Sequence, residues 1–355
     1  MNIREILERA VQQSASDILI IAGMPAAYKI HGLLQREGER LLPDDTQKLV
    51  EEIYLLAGNR SMDTLQACGD DDFSFAVSGL SRFRVNALKQ RGSLALVIRV
   101  VSFQLPDREA LGIPDNVMSF AEFTRGMVLI TGPAGSGKTT TLACLVDAVN
   151  STRNSHIITI EDPIEYLHHH KMSVVTQREL STDTDSYDAA LRAALREAPD
   201  IILLGEMRDA ATIKAAVTAA ETGHLVISTL HTVGAANTID RILDSFPPEQ
   251  QQQIRTQLAM VLEGVVSQQL IPTRDGGLVP AFEVMRVNSA IRNLVRESKA
   301  HQLDNVIAQS AQEGMISMDQ SLLKLVQSGR ITPDIALRHS LNSEWMQKRL
   351  STLRG

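Results

Sequence analysis

The chain has 355 residues, enough for about two domains at ~150 residues each, and its 44% hydrophobic and 22% charged residues exclude a largely disordered protein. A net charge of −7 gives no global basic field for nucleic acid or anionic lipid, and 4% aromatic residues argue against a base-stacking platform. No apolar run approaches the ~20 residues of a membrane-crossing helix, and the two cysteines, Cys68 and Cys144, are too few for a four-cysteine zinc site.

In chain order, Met1 to Gln13 carries acidic residues and does not read as a secretory signal; with so few cysteines, a cytosolic compartment is expected. Ile3 to Gln13 has helical spacing, and Ile18 to Ile21 reads as a short strand. Ala26 to Ile30 and Gly32 to Leu34 form a predicted hairpin, and Thr46 to Leu56 a helix. Asp72–Val77, Ser81–Leu88 and Leu94–Val101 read as three strands with polar or glycine turns. This pattern predicts a small α+β domain over 1–103. A proline-bearing stretch, 104–114, reads as a linker to a second domain over 115–355.

There the pattern becomes apolar strand, turn, helix, repeated. Strands are predicted at Met127–Thr131, His156–Ile160, Ile201–Leu204 and Leu225–Thr229, with helices at Thr139–Val149, Tyr187–Arg196 and Ala210–Ala220. Such alternation implies a parallel sheet covered on both faces, hence an α/β core. The last ninety residues read as mostly helical, most clearly over Ile254–Gln269, Ser289–Arg296 and Leu303–Gln312. The triplet His168-His169-His170 reads as an exposed loop, and Met315 and Met318 as core.

Gly132-Pro133-Ala134-Gly135-Ser136-Gly137-Lys138-Thr139 fits G-x-x-x-x-G-K-[ST], after an apolar strand and before a helix. Glycines let successive backbone N–H groups curl around phosphate oxygens, and the helix N-terminus adds positive partial charge. Lys138 can reach the terminal phosphates and the Thr139 hydroxyl can bind Mg²⁺; Thr140 follows in the same turn. Hydrolysis also needs carboxylates. The strands Ile157–Ile160 and Ile201–Leu204 end in Glu161 and Glu206, and the carboxyl ends of parallel strands face the ligand crevice. One acid can serve the metal and the other the attacking water; the spacing alone does not separate the roles. His224 and His231 flank the next strand, either as structural histidines or as a nucleotide sensor.

Four motifs, Gly132–Thr139, Thr159–Glu165, Leu204–Asp209 and Gly223–Thr232, resemble in order those of the type II and type IV pilus secretion ATPases. Ala15-Ser16-Asp17 and Arg82–Asn86 also resemble that family's N-terminal domain, although Ile18-Leu19-Ile20 stands where the family commonly has a histidine. Two features point within it to the pilus retraction ATPases: the lack of a zinc insertion and the segment Ala290–Glu297. The resemblance implies a RecA-like P-loop core behind a PAS-like α+β domain. It implies ATP and Mg²⁺ as ligands and catalysis by Lys138, Glu161, Glu206 and His231. Glu161 would activate water, Glu206 and Thr139 would hold the metal, and His231 would sense the γ-phosphate. It implies a homo-hexamer in which arginines among Arg82, Arg84, Arg91 and Arg99 reach the neighbouring subunit's nucleotide. It also implies a motor for pilus retraction and twitching motility, bound to an inner-membrane platform protein at the cytoplasmic face, with membrane association through that partner only and no nucleic acid. The alternatives are a nucleotide-gated regulatory protein, an accessory paralogue of the motor, or a nucleic-acid-remodelling ATPase on a RecA-like core. Acidic charge and scarce aromatics count against the last.

Overall fold

The computed structural model describes residues 2–30, 32–101 and 105–353. They group into two compact units, one holding the residues up to 101 with Ile164–Leu167, the other the rest from Leu105. Gln104, the first residue of the expected linker, lies outside the described residues; 105–114 hold no helix or strand and group with the second unit.

The first unit is a six-stranded antiparallel sheet carrying three helices. Its strands are β1 (Asp17–Ile20), β2 (Ala26–Ile30), β3 (Leu33–Glu37), β4 (Asp70–Val77), β5 (Ser81–Gln90) and β6 (Ser93–Val101), in the order β3-β2-β1-β6-β5-β4. The helices are α1 (Ile3–Gln12), α2 (Pro43–Leu56) and α3 (Asp63–Cys68). Alternation fixes the faces: Phe83, Val85 and Ala87 of β5 are buried and pack with Ile6, Leu7, Val50, Ile53 and Leu65 of the helices. The intervening Arg82 and Arg84 therefore point to the other face. The carboxylate of Asp71 is buried beneath the sheet edge and accepts bonds from Tyr54 Oη at 2.8 Å and from Arg60 Nε and Nη2 at 3.0 and 2.9 Å. Burial would raise its pKa, but these donors hold it below the ordinary value.

The second unit is α/β. It contains α4 (Asp115–Met118), β7 (Gly126–Thr131), α5 (Lys138–Thr152), β8 (His156–Glu161), β9 (Val174–Glu179), α6 (Tyr187–Ala194), β10 (Ile201–Leu204), α7 (Ala210–Glu221), β11 (Leu225–Leu230) and α8 (Ala235–Asp244). Then come α9 (Pro248–Val261), β12 (Leu262–Pro272), β13 (Leu278–Arg286), α10 (Ser289–Arg296), α11 (Leu303–Gln309), α12 (Met318–Gln327), α13 (Pro333–His339) and α14 (Ser343–Leu353). The strand order is β13-β12-β7-β11-β10-β8-β9, parallel throughout except for the β12–β13 pair. Strands β7, β8, β10 and β11 are apolar runs because both their faces are covered. Val128, Ile130, Ile157, Leu203 and Ile227 pack under Leu142, Leu145 and Val149 of α5. Met127, Leu129, Ile160, Leu204 and Val226 face the other way, toward α6, α7, α8 and α9.

The α/β core behind an α+β unit agrees with the sequence expectation. One helix does not: the segment expected over Ile254–Gln269 is helical only to Val261, and its second half is β12. An apolar run cannot distinguish a buried helix from a buried strand. Here the open edge of β7 decides, taking Val265 and Val266 into parallel pairing. Gly264 allows this approach, since a side chain there would collide with Phe120. The helix expected over Leu303–Gln312 ends at Gln309. The triple-histidine loop is exposed at His169 and His170, but His168 is half-buried, and burial pushes its pKa down to about 4. Met315 and Met318 are core residues.

Glu283 of β13 is 2% exposed and accepts the backbone N–H of Ala235, which opens α8, at 2.8 Å and that of Met318, which opens α12, at 3.3 Å. Burial raises its pKa to about 7, with Asp304 and Asp319 adding to the rise. A carboxyl with a raised folded-state pKa contributes stability below its unfolded value of about 4.5 and loses it as pH rises through about 7. His168 has the opposite sign over part of that window, so the comparison with a variant is the clean measurement. Chemical denaturation of Glu283→Gln against the wild-type chain should show the difference in unfolding free energy moving in favour of the variant between pH 5 and pH 7.5.

Candidate nucleotide site

The loop after β7 is built by glycine. Gly132, Gly135 and Gly137 have φ of +144°, +74° and +86°, values that L side chains rarely adopt. At Gly132 a Cβ would also collide with the Gln268 carbonyl, so the loop lies directly on β12. Gln268 is bound in turn by the Thr141 hydroxyl, 2.7 Å from its Oε1. Pro133, Ala134 and Gly135 are exposed at the crest, whereas Ser136 is buried. Lys138 opens α5 with Thr139 and Thr140 beside it. Its ammonium donates to the carbonyls of Gly132 and Pro133, both at 2.9 Å, so the cation folds back over its own loop.

The hydroxyls of Thr131 and Ser136 are buried with no hydrogen-bond partner among the described residues. With a helix N-terminus and positive-φ glycines, this is a cradle fitted to an oxygen-rich anion. Beside it a cleft of about 320 Å³ is lined by Gly137, Thr140, Leu270, Leu278, Pro280 and Arg330. Its mixed lining is of the size and kind that holds a small ligand.

Glu161 and Glu206 end adjacent parallel strands and are both buried. Glu161 Oε1 accepts from the Thr159 hydroxyl at 2.6 Å and from Gln177 Nε2 at 3.2 Å. Glu206 forms an ion pair with Arg208 and lies 3.3 Å from His231 Nε2. Thr139 and Glu206 offer the hard oxygen donors that Mg²⁺ takes together with waters and phosphate. Among the described residues no group of three or more His, Cys, Asp or Glu is arranged to hold a metal by itself. His224 lies apart from the acids, its Nδ1 2.9 Å from the Ala219 carbonyl at the end of α7. Only His231 stands at the acids.

The four arginines separate. Arg84 and Arg99 are cross-strand partners, with Arg82 two residues along on the same face. Arg99 is bound to Asp17 at 3.0 Å. Arg91 sits in the two-residue turn between β5 and β6, with φ +47°, seven positions from Arg84 and so roughly 20 Å along the strand.

Sequence reasoning assigned no role to Gln268, Gln177, Arg208 or Tyr187. Arg208 lies within a motif already singled out, so its two-residue spacing from Glu206 was a usable signal. Gln268 and Gln177 touch the site across long stretches of chain and carry no local signature. Arg292 of the Ala290–Glu297 segment is engaged in the fold, donating to the Ala259 and Met260 carbonyls at 2.9 and 2.8 Å and to both oxygens of Glu263.

Comparison with known proteins gives a consistent result. The chain is 44% identical to the type IV pilus retraction ATPase PilT of Pseudomonas aeruginosa, over 95% of this chain and 97% of that protein. It is 43% identical to a twitching motility protein of Neisseria gonorrhoeae, over 97% of this chain and 92% of that one. Its fold matches a crystal structure of the pilus retraction motor PilT with bound ADP at a TM-score of 0.88 and 45% identity, covering 98% of this chain and 99% of that one. The ATPase DotB of Legionella pneumophila matches at 0.80 with 28% identity, covering 95% of each chain. Residues 1–293 match the type II/IV secretion system protein family, and the chain belongs to that family.

Proposed function

We propose that this chain is an ATP-hydrolysing motor that powers retraction of a type IV pilus and hence twitching motility. The observation that carries the reading is convergence: a phosphate loop, two buried carboxylates and a histidine emerge from neighbouring parallel strands, in a chain 44% identical to a pilus retraction ATPase.

The loop N–H groups and the start of α5 take the phosphates of ATP, and the cleft beside Thr140 takes the nucleoside. Lys138 leaves the Gly132 and Pro133 carbonyls for the terminal phosphates; the exchange of neutral acceptors for anionic ones drives this. Glu161 accepts the proton of the attacking water, and its bonds from Thr159 and Gln177 fix the carboxylate's direction. Bound Mg²⁺ supplies charge neutralisation on the phosphates, with Thr139 and Glu206 as its protein donors. His231, already against Glu206, senses whether the terminal phosphate is present.

The motor works as a hexameric ring, and the Arg82, Arg84 and Arg99 face serves the neighbouring subunit's nucleotide. Guanidinium suits this role because it is planar and always charged. Arg91, at the far end of the hairpin, is not part of that group. Head-to-tail contacts close into a ring when the rotation permits, and turnover summed around it can move an axial partner. The partner we propose is an inner-membrane platform protein, met at the cytoplasmic face; no helix among the described residues is long and apolar enough to cross a membrane.

Three measurements test this. Lys138→Ala should lower ATP turnover by about a hundredfold or more, and near-normal hydrolysis would refute the nucleotide site. Glu161→Gln keeps shape but removes the base, so it should bind ATP while turning it over ~10²–10⁴ times more slowly. Ordinary turnover by that variant would reassign the base. Finally, a Lys138→Ala chain mixed with one carrying Arg82→Ala, Arg84→Ala and Arg99→Ala should regain activity. One interface then pairs an intact phosphate loop with intact arginines. No recovery in rings shown to be mixed would exclude a site shared between subunits.

A further inference from the structure

Tyr187 is the first residue of α6, held there by the Ser186 cap on Ala189, 3.2 Å away. Its ring packs against the main core cluster, which fixes where the hydroxyl points. The hydroxyl lies over Gly205, the residue that joins β10 to Glu206. A Cβ built at Gly205 would stand 2.8 Å from Tyr187 Oη and 3.4 Å from Glu161 Cα. Gly205 is itself tied to the other acid-bearing strand, its N–H donating to the Ile160 carbonyl at 2.8 Å. The phenol therefore sits where the ends of β8 and β10 meet, near the Glu161 backbone and over the residue that precedes Glu206.

We propose that the Tyr187 hydroxyl is a further residue of the hydrolytic site, donating a hydrogen bond to the water that lies between Glu161 and Glu206. This role rests on the ATPase reading and adds a donor to it. Among the described residues no hydrogen bond uses this hydroxyl, although its surroundings are half-buried. A phenol has one proton to give, and since this hydroxyl is not among the fully buried unpartnered groups, a water can reach it as acceptor. A phenol titrates at about 10 in water, so at neutral pH Tyr187 carries its proton and acts as a donor, not as a base. A water within reach of phenol and carboxylates completes the set, since a bridging water is nearly as favourable as a direct bond. In the reaction the water oxygen bonds to the γ-phosphorus, and the bond from that phosphorus to the bridging oxygen breaks. The water proton passes to Glu161, and the electron pair leaves with ADP. Tyr187 directs a lone pair of that water by holding the other, and ends the cycle unchanged.

Tyr187→Phe in the full chain, assayed with Mg-ATP, isolates the oxygen because the ring still fills its place. The expected result is a kcat lower by about tenfold, the size of one lost hydrogen bond, with KM within twofold and an unchanged melting temperature. Gly205→Ala should cost more activity in the wild-type background than in combination with Tyr187→Phe, because the clash is with the hydroxyl. A Tyr187→Phe enzyme with kcat within twofold of wild type would overturn the proposal. So would a loss matched by weaker nucleotide binding or lower melting temperature, or equal costs of Gly205→Ala in the two backgrounds. Lys138→Ala run in parallel keeps the levels apart. If it retains turnover, the nucleotide site itself is wrong; if it is dead while Tyr187→Phe is fully active, only the tyrosine is misassigned.

Discussion

The site depends on four strands running the same way in one register. Ile160, Leu204 and Ser228 are at one level across β8, β10 and β11, and Leu129 of β7 is level with Ser228. From that line the chain needs one residue to reach Glu161, two to reach Glu206 and three to reach His231. Three residues past Leu129 the phosphate loop begins. Because hydrogen bonds fix the register, these groups leave the sheet at one edge, close enough that Glu206 and His231 meet at 3.3 Å. A slip of one residue in one strand would move its acid by ~3.3 Å and turn it to the other face. Burial alone resists such a slip weakly, since both faces are apolar. The loops must hold the register too, and they do so by backbone bonds such as Gly205 N–H to Ile160 and Met207 N–H to Thr229.

Strand β12 is the second support, and it reaches two loops with adjacent residues. Ser267 Oγ accepts the N–H of Gly234, three residues beyond His231, at 2.9 Å. Gln268 lies beneath the phosphate loop and holds Thr141. Glu283 on the paired β13 accepts the next N–H, that of Ala235. The His231 loop and the phosphate loop therefore rest on one rigid hairpin. A shift of either loop strains bonds to the same strand pair, which is a contiguous physical link between the two.

Legibility followed the range of the physics. The phosphate loop could be read because its chemistry demands glycine at set positions, and the core strands because burial on both faces demands apolar runs. The acids followed from where such strands end. What escaped was decided by distant chain. Whether Leu262–Gln269 continued a helix or became a strand depended on the free edge of β7, which no local pattern announces. Gln268 reaches Thr141 from 127 residues away. Among the arginines, alternation in β5 could have set Arg82 and Arg84 on one face. Arg91 lay outside the predicted strands Ser81–Leu88 and Leu94–Val101, so the turn that separates it was legible as well.

The contacts of Glu206 carry the last step. One of its oxygens is held by Arg208 and the other faces His231. A carboxylate has about four acceptor positions, so these two partners orient it and leave room for a further donor. The side chain of Arg208 is 69% exposed, so it can leave at little cost, because water replaces what it loses. His231, 57% exposed, is equally free to turn. Any displacement of Glu206 is therefore felt by both residues, which are exposed enough to follow it or to exchange it for water. The loop bearing His231 is the one seated on Ser267 and Glu283. The acid end of the site is thus in contact, through a single carboxylate, with the loop that leads into α8.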